Sequence, residues 1–345
     1  MLYVTTRIGQ DAFTSARALA ENRGPEGGFY VPIHVPMFSA QQIEGLADRS
    51  FSQNAAEILN LLFATRLDGW AVEFAIGRYP VQMTSISSKI LVAETWHNPT
   101  GKFERLVSGM EKAIRQSDQI REKPSNWLMI AARIAILFGI YGQLLEAGAL
   151  TGDRKLDIAV PAGELSAVMA AWYARSWGLP IGTIVCCCNE NNGLWNLLHK
   201  GELRTDVPAL KTDTPACDTT VPQDLERLIY AALGPEETLR FLDCCRCGST
   251  YCLSQEQMET LCDGLHISVV GGKRVASTVP NLYKTTGILA DPYTALAYSG
   301  LVDYRASSFE NRMALILAEE SPVFSLQFLA QCMNLSLSQI KQLLN

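Results

Sequence analysis

Residues 155–188 constrain the fold more than any other stretch. "KLDIAVP" reads as a short buried strand, "GELSAVMAAWYARSWG" as a helix, and "LPIGTIVCC" as a second strand. Gly178 closes the helix at the C′ position, where a left-handed residue without a Cβ is least strained. Strand, helix and strand joined this tightly make a βαβ unit. Its two strands must lie parallel, linked by a right-handed crossover. The expected class is α/β, with a smaller domain ahead of it.

The flanking chain supports that class. "WLMIAARIAILFGIYGQLLEAGAL" at 127–150 is the most apolar segment, and Arg133, Gln143 and Glu146 interrupt it. The clean run between Arg133 and Gln143 is half of the roughly 20 residues a membrane span needs. A buried core helix is expected. Near the N-terminus, "GPEGGFYVP" (24–32) reads as a turn and a strand, because paired glycines tolerate positive φ and Phe-Tyr-Val favours extended backbone. "SAQQIEGLADRS" (39–50) and "SQNAAEILNLLFATRL" (52–67) have helical spacing, the first behind a serine cap. "SQEQMETL" (254–261) and "DPYTALAYSGL" (291–301) read as further helices, the latter opening with Asp-Pro at Ncap and N1.

Composition excludes some functions. At 345 residues the chain has material for about two domains. Hydrophobic content of 48% with 19% charged residues argues against disorder. A net charge of −6 gives no basic face for nucleic acid. "MLYVTTRIGQDAFTSARAL" has no basic region followed by an apolar run, so no signal peptide is expected and the expected compartment is the cytoplasm.

The cysteines raise a metal question. Cys244 and Cys247 have C-x-x-C spacing, and Cys252 and Cys262 could complete a zinc set. No second pair follows at finger-like spacing, so reduced, partly buried thiols are the expectation and no metal is. "CCC" at 186–188 reads as the end of a buried strand.

Taken in order, the pieces resemble threonine synthase, a pyridoxal-phosphate (PLP) enzyme of the tryptophan-synthase-β fold type. "TTRIGQDAFTSARALAENRGPEGGFYVP" is similar to the family's "STRG…A…G…GGLYVP", "NAAEIL" to "SAKIL", and "KPSNWLMIAARI" to "NSINWARIAAQI". Val160-Pro-Ala-Gly-Glu-Leu-Ser-Ala167 stands for "VPTGNFGN", and Cys188-Asn-Glu-Asn-Asn-Gly-Leu194 for "TNENDIL". Residues 217–230 and 283–296 match two further family segments.

The resemblance breaks at the residues that would touch cofactor or substrate. The family's "ELFHGPTLAFKD" supplies the lysine that forms a Schiff base with PLP. In "ETWHNPTGKFERL", His97, Pro99, Thr100 and Phe103 hold their places, but Glu104 stands at the lysine position. A carboxylate cannot form an imine. Lys102 is two residues earlier, turned by about 200° on a helix. The loop that would hold the phosphate keeps Gly163 and Ser166 but gains Glu164, a negative charge where a dianion would sit. The mobile subdomain carrying "SGDTG" has no counterpart in the short stretch from Glu104 to Ser125, where Leu106, Met110 and Ile114 predict one helix. "AEESPVF" (318–324) puts Ser321-Pro322 where His-Pro would stand, and the threonine facing the pyridine nitrogen is lost.

The resemblance implies a tryptophan-synthase-β-like parallel-sheet core with one subdomain deleted. It divides the chain into an N-terminal α+β domain (1–90), a remnant lysine segment (91–124) and a large α/β domain (125–345). The functional reading is a catalytically inactive relative with a scaffolding, regulatory or binding role. No cofactor is expected, with His97, Asn98, Gly163 and Ser166 as degenerate remnants of its site. One alternative is an active PLP lyase using Lys102 or Lys112, which would hold PLP. A second is a metal or small-molecule binder using His97, Asn98, Glu104 and Glu164. A second copy or another protein is the expected cover for the lost subdomain's place; neither nucleic acid nor membrane is expected as a partner.

Overall fold

The strands predicted at 155–188 pair in parallel. Leu156–Pro161 (β3) lies beside Ile181–Cys188 (β4), with Ser166–Ser176 (α3) crossing between them. Gly178 takes φ +99 just past that helix, as its C′ position requires. The structure, a computed structural model, describes residues 1–7, 11–34, 36–78, 80–117 and 123–344. Residues 8–10 of the "TTRIGQ" motif and 118–122 of the remnant segment lie outside the described residues.

Four more strands complete the sheet: Gln82–Ser87 (β1), Ile90–Glu94 (β2), Leu265–Val269 (β5) and Ala314–Ala318 (β6). Their order is β5-β4-β3-β6-β2-β1. All neighbours are parallel except β1, which returns antiparallel on β2 at the edge. The β1–β2 hairpin straddles position 90. Strand β1, which the boundary at 90 gives to the N-terminal domain, is thus part of the large sheet.

Both faces of the sheet are buried, and period-2 alternation divides the work. Ile158, Val160, Ile184, Cys186, Cys188 and Leu315 join a core with Asn126–Glu146 (α2), α3 and the helix Phe51–Phe63. Ala159, Val185, Cys187 and Ile316 pack the other way, against Gly272–Thr286 and Pro292–Ser308 (α4). The three consecutive cysteines therefore face alternate sides, all buried, as the end of a buried strand.

The apolar segment at 127–150 is helix α2, opened by the Ser125 side chain accepting the Leu128 N–H. It is the described helix long and apolar enough to cross a membrane, and 83% of its apolar window is buried in protein. Serine caps also open the helices at Ser39, Ser50 and Ser254, each with a glutamine completing a capping box.

Between Glu104 and Ser125 the described residues form one helix, Glu104–Arg115 (α1). Leu106, Met110 and Ile114 are its buried face, each stabilising by roughly 1.5–3 kcal/mol. Gly109 lets α1 meet the helix Gly69–Ile76 at backbone distance: a Cβ there would lie 2.6 Å from the Ala75 carbonyl oxygen. Gly109→Ala should cost about 1–3 kcal/mol, since backbone rather than a flexible side chain must yield. Urea unfolding would check this as a lowered midpoint at unchanged slope.

Candidate functional site

A cleft of about 380 Å³ opens where β3 and β6 end. Ligands of open parallel sheets bind outside the carboxyl ends of the strands, so the place is the expected one. Its floor combines three segments. Strand β6 delivers Glu319 and Glu320, α2 delivers Arg133, and α1 delivers Glu104 from its first residue.

Arg133 is nearly buried on an apolar helix and must have a partner. Its Nε and Nη2 donate to Oε1 and Oε2 of Glu319, each at 2.6 Å. Its Nη1 donates to the Met129 carbonyl at 3.2 Å, and the guanidinium lies 4.5 Å from the centre of the Phe103 ring. Glu319 also fixes the backbone, its carbonyl accepting the Phe103 N–H at 2.8 Å. Next to it, Glu320 Oε1 meets Lys102 Nζ at 3.0 Å, with that ammonium 4.5 Å over the Phe324 ring. Neither Lys102 nor Lys112 lines the cleft; Glu104 does. At the start of α1, Glu104 also complements the positive end of the helix dipole.

The loop before α3 is tied down by its own backbone and by a distant segment. Glu164 lines the cleft while its carboxylate accepts the Gln223 N–H at 2.9 Å and its carbonyl accepts the Asp224 N–H. Ser166 is the first helical residue, not the cap. The cap position falls to Leu165, at φ +66, with no side chain capping the helix. The loop turns because Gly163 and Leu165 both adopt positive φ and the Leu165 N–H closes on the Ala162 carbonyl at 2.8 Å.

The opposite wall holds groups that the motif comparison did not single out. Asp291 caps α4, accepting the Tyr293 and Thr294 N–H groups and the Thr294 hydroxyl. Full burial nevertheless pushes its carboxyl up to about 6, against the lowering effect of those bonds. Burial likewise raises the Tyr293 hydroxyl and the Cys217 thiol to about 12, so neither is ionised near neutrality. Signals for the floor existed in the sequence. A lone arginine inside an apolar helix needs a buried acid, and the Glu-Glu doublet after a parallel strand is one place to find it.

The other candidates lie elsewhere. His97 Nε2 is 2.8 Å from Glu94 Oε2, and its ring stacks on Trp96. Asn98 ties its own turn, donating to the Lys102 carbonyl and accepting from Thr100. Both line a separate surface hollow with Ser321 and Phe324, so the proposed grouping of His97 and Asn98 with Glu104 and Glu164 does not form. Cys244 and Cys247 lie on the helix Pro235–Cys247, Cys252 on the strand Thr250–Cys252, and the Cys262 thiol points at the Leu198 carbonyl. Among the described residues, no three His, Cys, Asp or Glu side chains are grouped to hold a metal ion.

Known proteins resemble the chain on two levels. Residues 2–73 match the family described as threonine synthase N terminus. Threonine synthase of Pseudomonas aeruginosa is 25% identical over 189 residues, which are 53% of this chain and 38% of that protein. Human threonine synthase-like 1 is 24% identical over 176 residues, 50% of this chain and 24% of that protein. The matched part is thus well under half of each relative's length. In three dimensions, PLP-bound threonine synthase from Brucella melitensis superposes with a TM-score of 0.83 at 17% identity, covering 100% of this chain and 94% of that one. Yeast threonine synthase gives 0.83 at 14% identity, covering 96% and 90%.

Asp291 makes the site's pH dependence testable. A carboxyl raised from 3.8 to about 6 on folding gives stability that is full below pH ~4 and lost as pH rises through ~6. Asn at 291 keeps the cap without the charge. Asp291→Asn should gain on wild type by about 3 kcal/mol between pH 4 and pH 7, measured by denaturant unfolding across that range.

Proposed function

Starting from a chain that is threonine-synthase-like and has that enzyme's fold, we propose that it does not run PLP chemistry and serves as a binding or scaffolding protein. The observation that carries this reading is Glu104, lining the cleft at the helix start where the resemblance places the PLP lysine. The residues present do not fit the cofactor. A Schiff base needs a neutral amine, and the cleft's lining offers none. Among carboxylates, an anionic phosphate needs a free cation beside any converging N–H groups. Arg133 is the basic side chain that lines the cleft, and Glu319 already takes it; five carboxyl groups line the same space. A carboxylate held 4 Å from a phosphate would cost about 4 kcal/mol per pair of unit charges at an effective dielectric of 20.

One observation favours the active-enzyme alternative. Helix α3 still points an uncapped N-terminus at the cleft, a place suited to an anion. That reading requires Lys102 or Lys112 to reach the cleft. Lys102 is paired with Glu320, and Lys112 sits two turns into α1. The role left to a non-catalytic chain is contact with another chain or a second copy. Trp70 and Phe74, stacked and 72% and 81% exposed on the helix that packs against α1, support a contact of that kind.

Incubation with PLP distinguishes the readings. Wild type should show no stoichiometric absorbance band above 400 nm (roughly the imine range) that borohydride fixes to one lysine. Glu104→Lys alone should not create one, because the phosphate would still lack a cation. A fixed, mapped lysine adduct in wild type would favour the enzyme.

A further inference from the structure

The floor of the cleft is closed by the chain itself. Residues 101–103 and 319–321 are zipped by two backbone hydrogen bonds, Phe103 N–H to the Glu319 carbonyl and Ser321 N–H to the Gly101 carbonyl, which together make an antiparallel bridge at Lys102 and Glu320. Along this strap the side chains of Glu319 and Glu320 diverge. Glu320 goes to Lys102 at the rim, and Glu319 goes inward to Arg133. The Arg133 side chain is 7% exposed, and its partner carboxylate 28%. Both carboxylate oxygens face the planar fork of the guanidinium, the geometry in which arginine recognises a carboxylic acid.

We infer that Arg133 is a carboxylate-binding group occupied by the chain's own Glu319, so that the 319–321 strap keeps a small-carboxylate site closed. This inference rests on the reading that the cleft has given up its cofactor. The physical argument is one of competition. Glu319 is tethered to the strap at a high effective concentration, so a free acid at millimolar level does not displace it. Removing the tethered carboxylate leaves a nearly buried cation without its counter-charge, facing a cavity. Such a site recruits an external carboxylate of matching size. Helix α2 holds the guanidinium in place meanwhile, through the Met129 carbonyl and the Phe103 ring.

The experiment is chemical rescue of Glu319→Ala by acetate. Thermal unfolding is followed at constant ionic strength, with chloride replaced stepwise by acetate. The wild-type midpoint should not change beyond the general salt effect. Glu319→Ala should start lower and rise saturably with acetate, as linkage to a single native-state site requires. Arg133→Met combined with Glu319→Ala should lose that rise. Should the alanine variant fold only when acetate is present, the inference is equally supported. It is overturned if folded Glu319→Ala responds to acetate no more than wild type, or if wild type shows the same saturable rise. Should the alanine variant fold in neither buffer, Glu319→Gln is measured in its place, with the same two outcomes. Failure of both to fold even in acetate also overturns it, because an external carboxylate then cannot replace the internal one. Acetate is a carboxylate and not an aldehyde, so it forms no imine with an amine, and this result stands apart from the PLP test.

Discussion

The ion pair between Arg133 and Glu319 joins the parts of this molecule that matter most. Arg133 comes from the central helix α2, and Glu319 from the end of a central strand. A guanidinium in that position has lost most of its water, and a single partner at bidentate geometry restores the balance. The pair also sets the backbone beside it, because the residue that supplies the carboxylate accepts the N–H of Phe103. Phe103 in turn immediately precedes α1 and Glu104. The wall where the PLP lysine is expected is therefore positioned by the cleft's internal salt bridge.

The scaffold and the cleft are held by different kinds of interaction. The sheet is held by alternating apolar residues on both faces. The cleft walls depend on charge balance. Arg133 and Glu319 match one another, Lys102 matches Glu320, and Glu164 is satisfied by the Gln223 N–H. Asp291 is the exception: it keeps an elevated carboxyl because burial outweighs its capping hydrogen bonds.

The loop before α3 shows what a motif leaves open. Glu164 stands where the resemblance has an asparagine, and it lines the cleft. Positive φ at Gly163 and Leu165 turns the loop so that its carboxylate also meets a backbone N–H on a distant segment. Motif letters carry residue type, and only backbone dihedrals carry aim.

Sequence alone determined the elements and much of their arrangement. The βαβ unit, the buried core helix, the serine caps, the Asp-Pro helix start and the single helix after Glu104 follow from local propensity, periodicity and length, which are properties of neighbouring residues. The resemblance supplied the sheet and the position of Glu104. Tertiary structure decided which polar groups meet. Arg133 and Glu319 are 186 residues apart, and Glu164 and Gln223 are 59 apart, so neither pairing has a local signal. A hydrogen bond acts over about 3 Å, so its partner is fixed only when the packed sheet brings distant segments to that range.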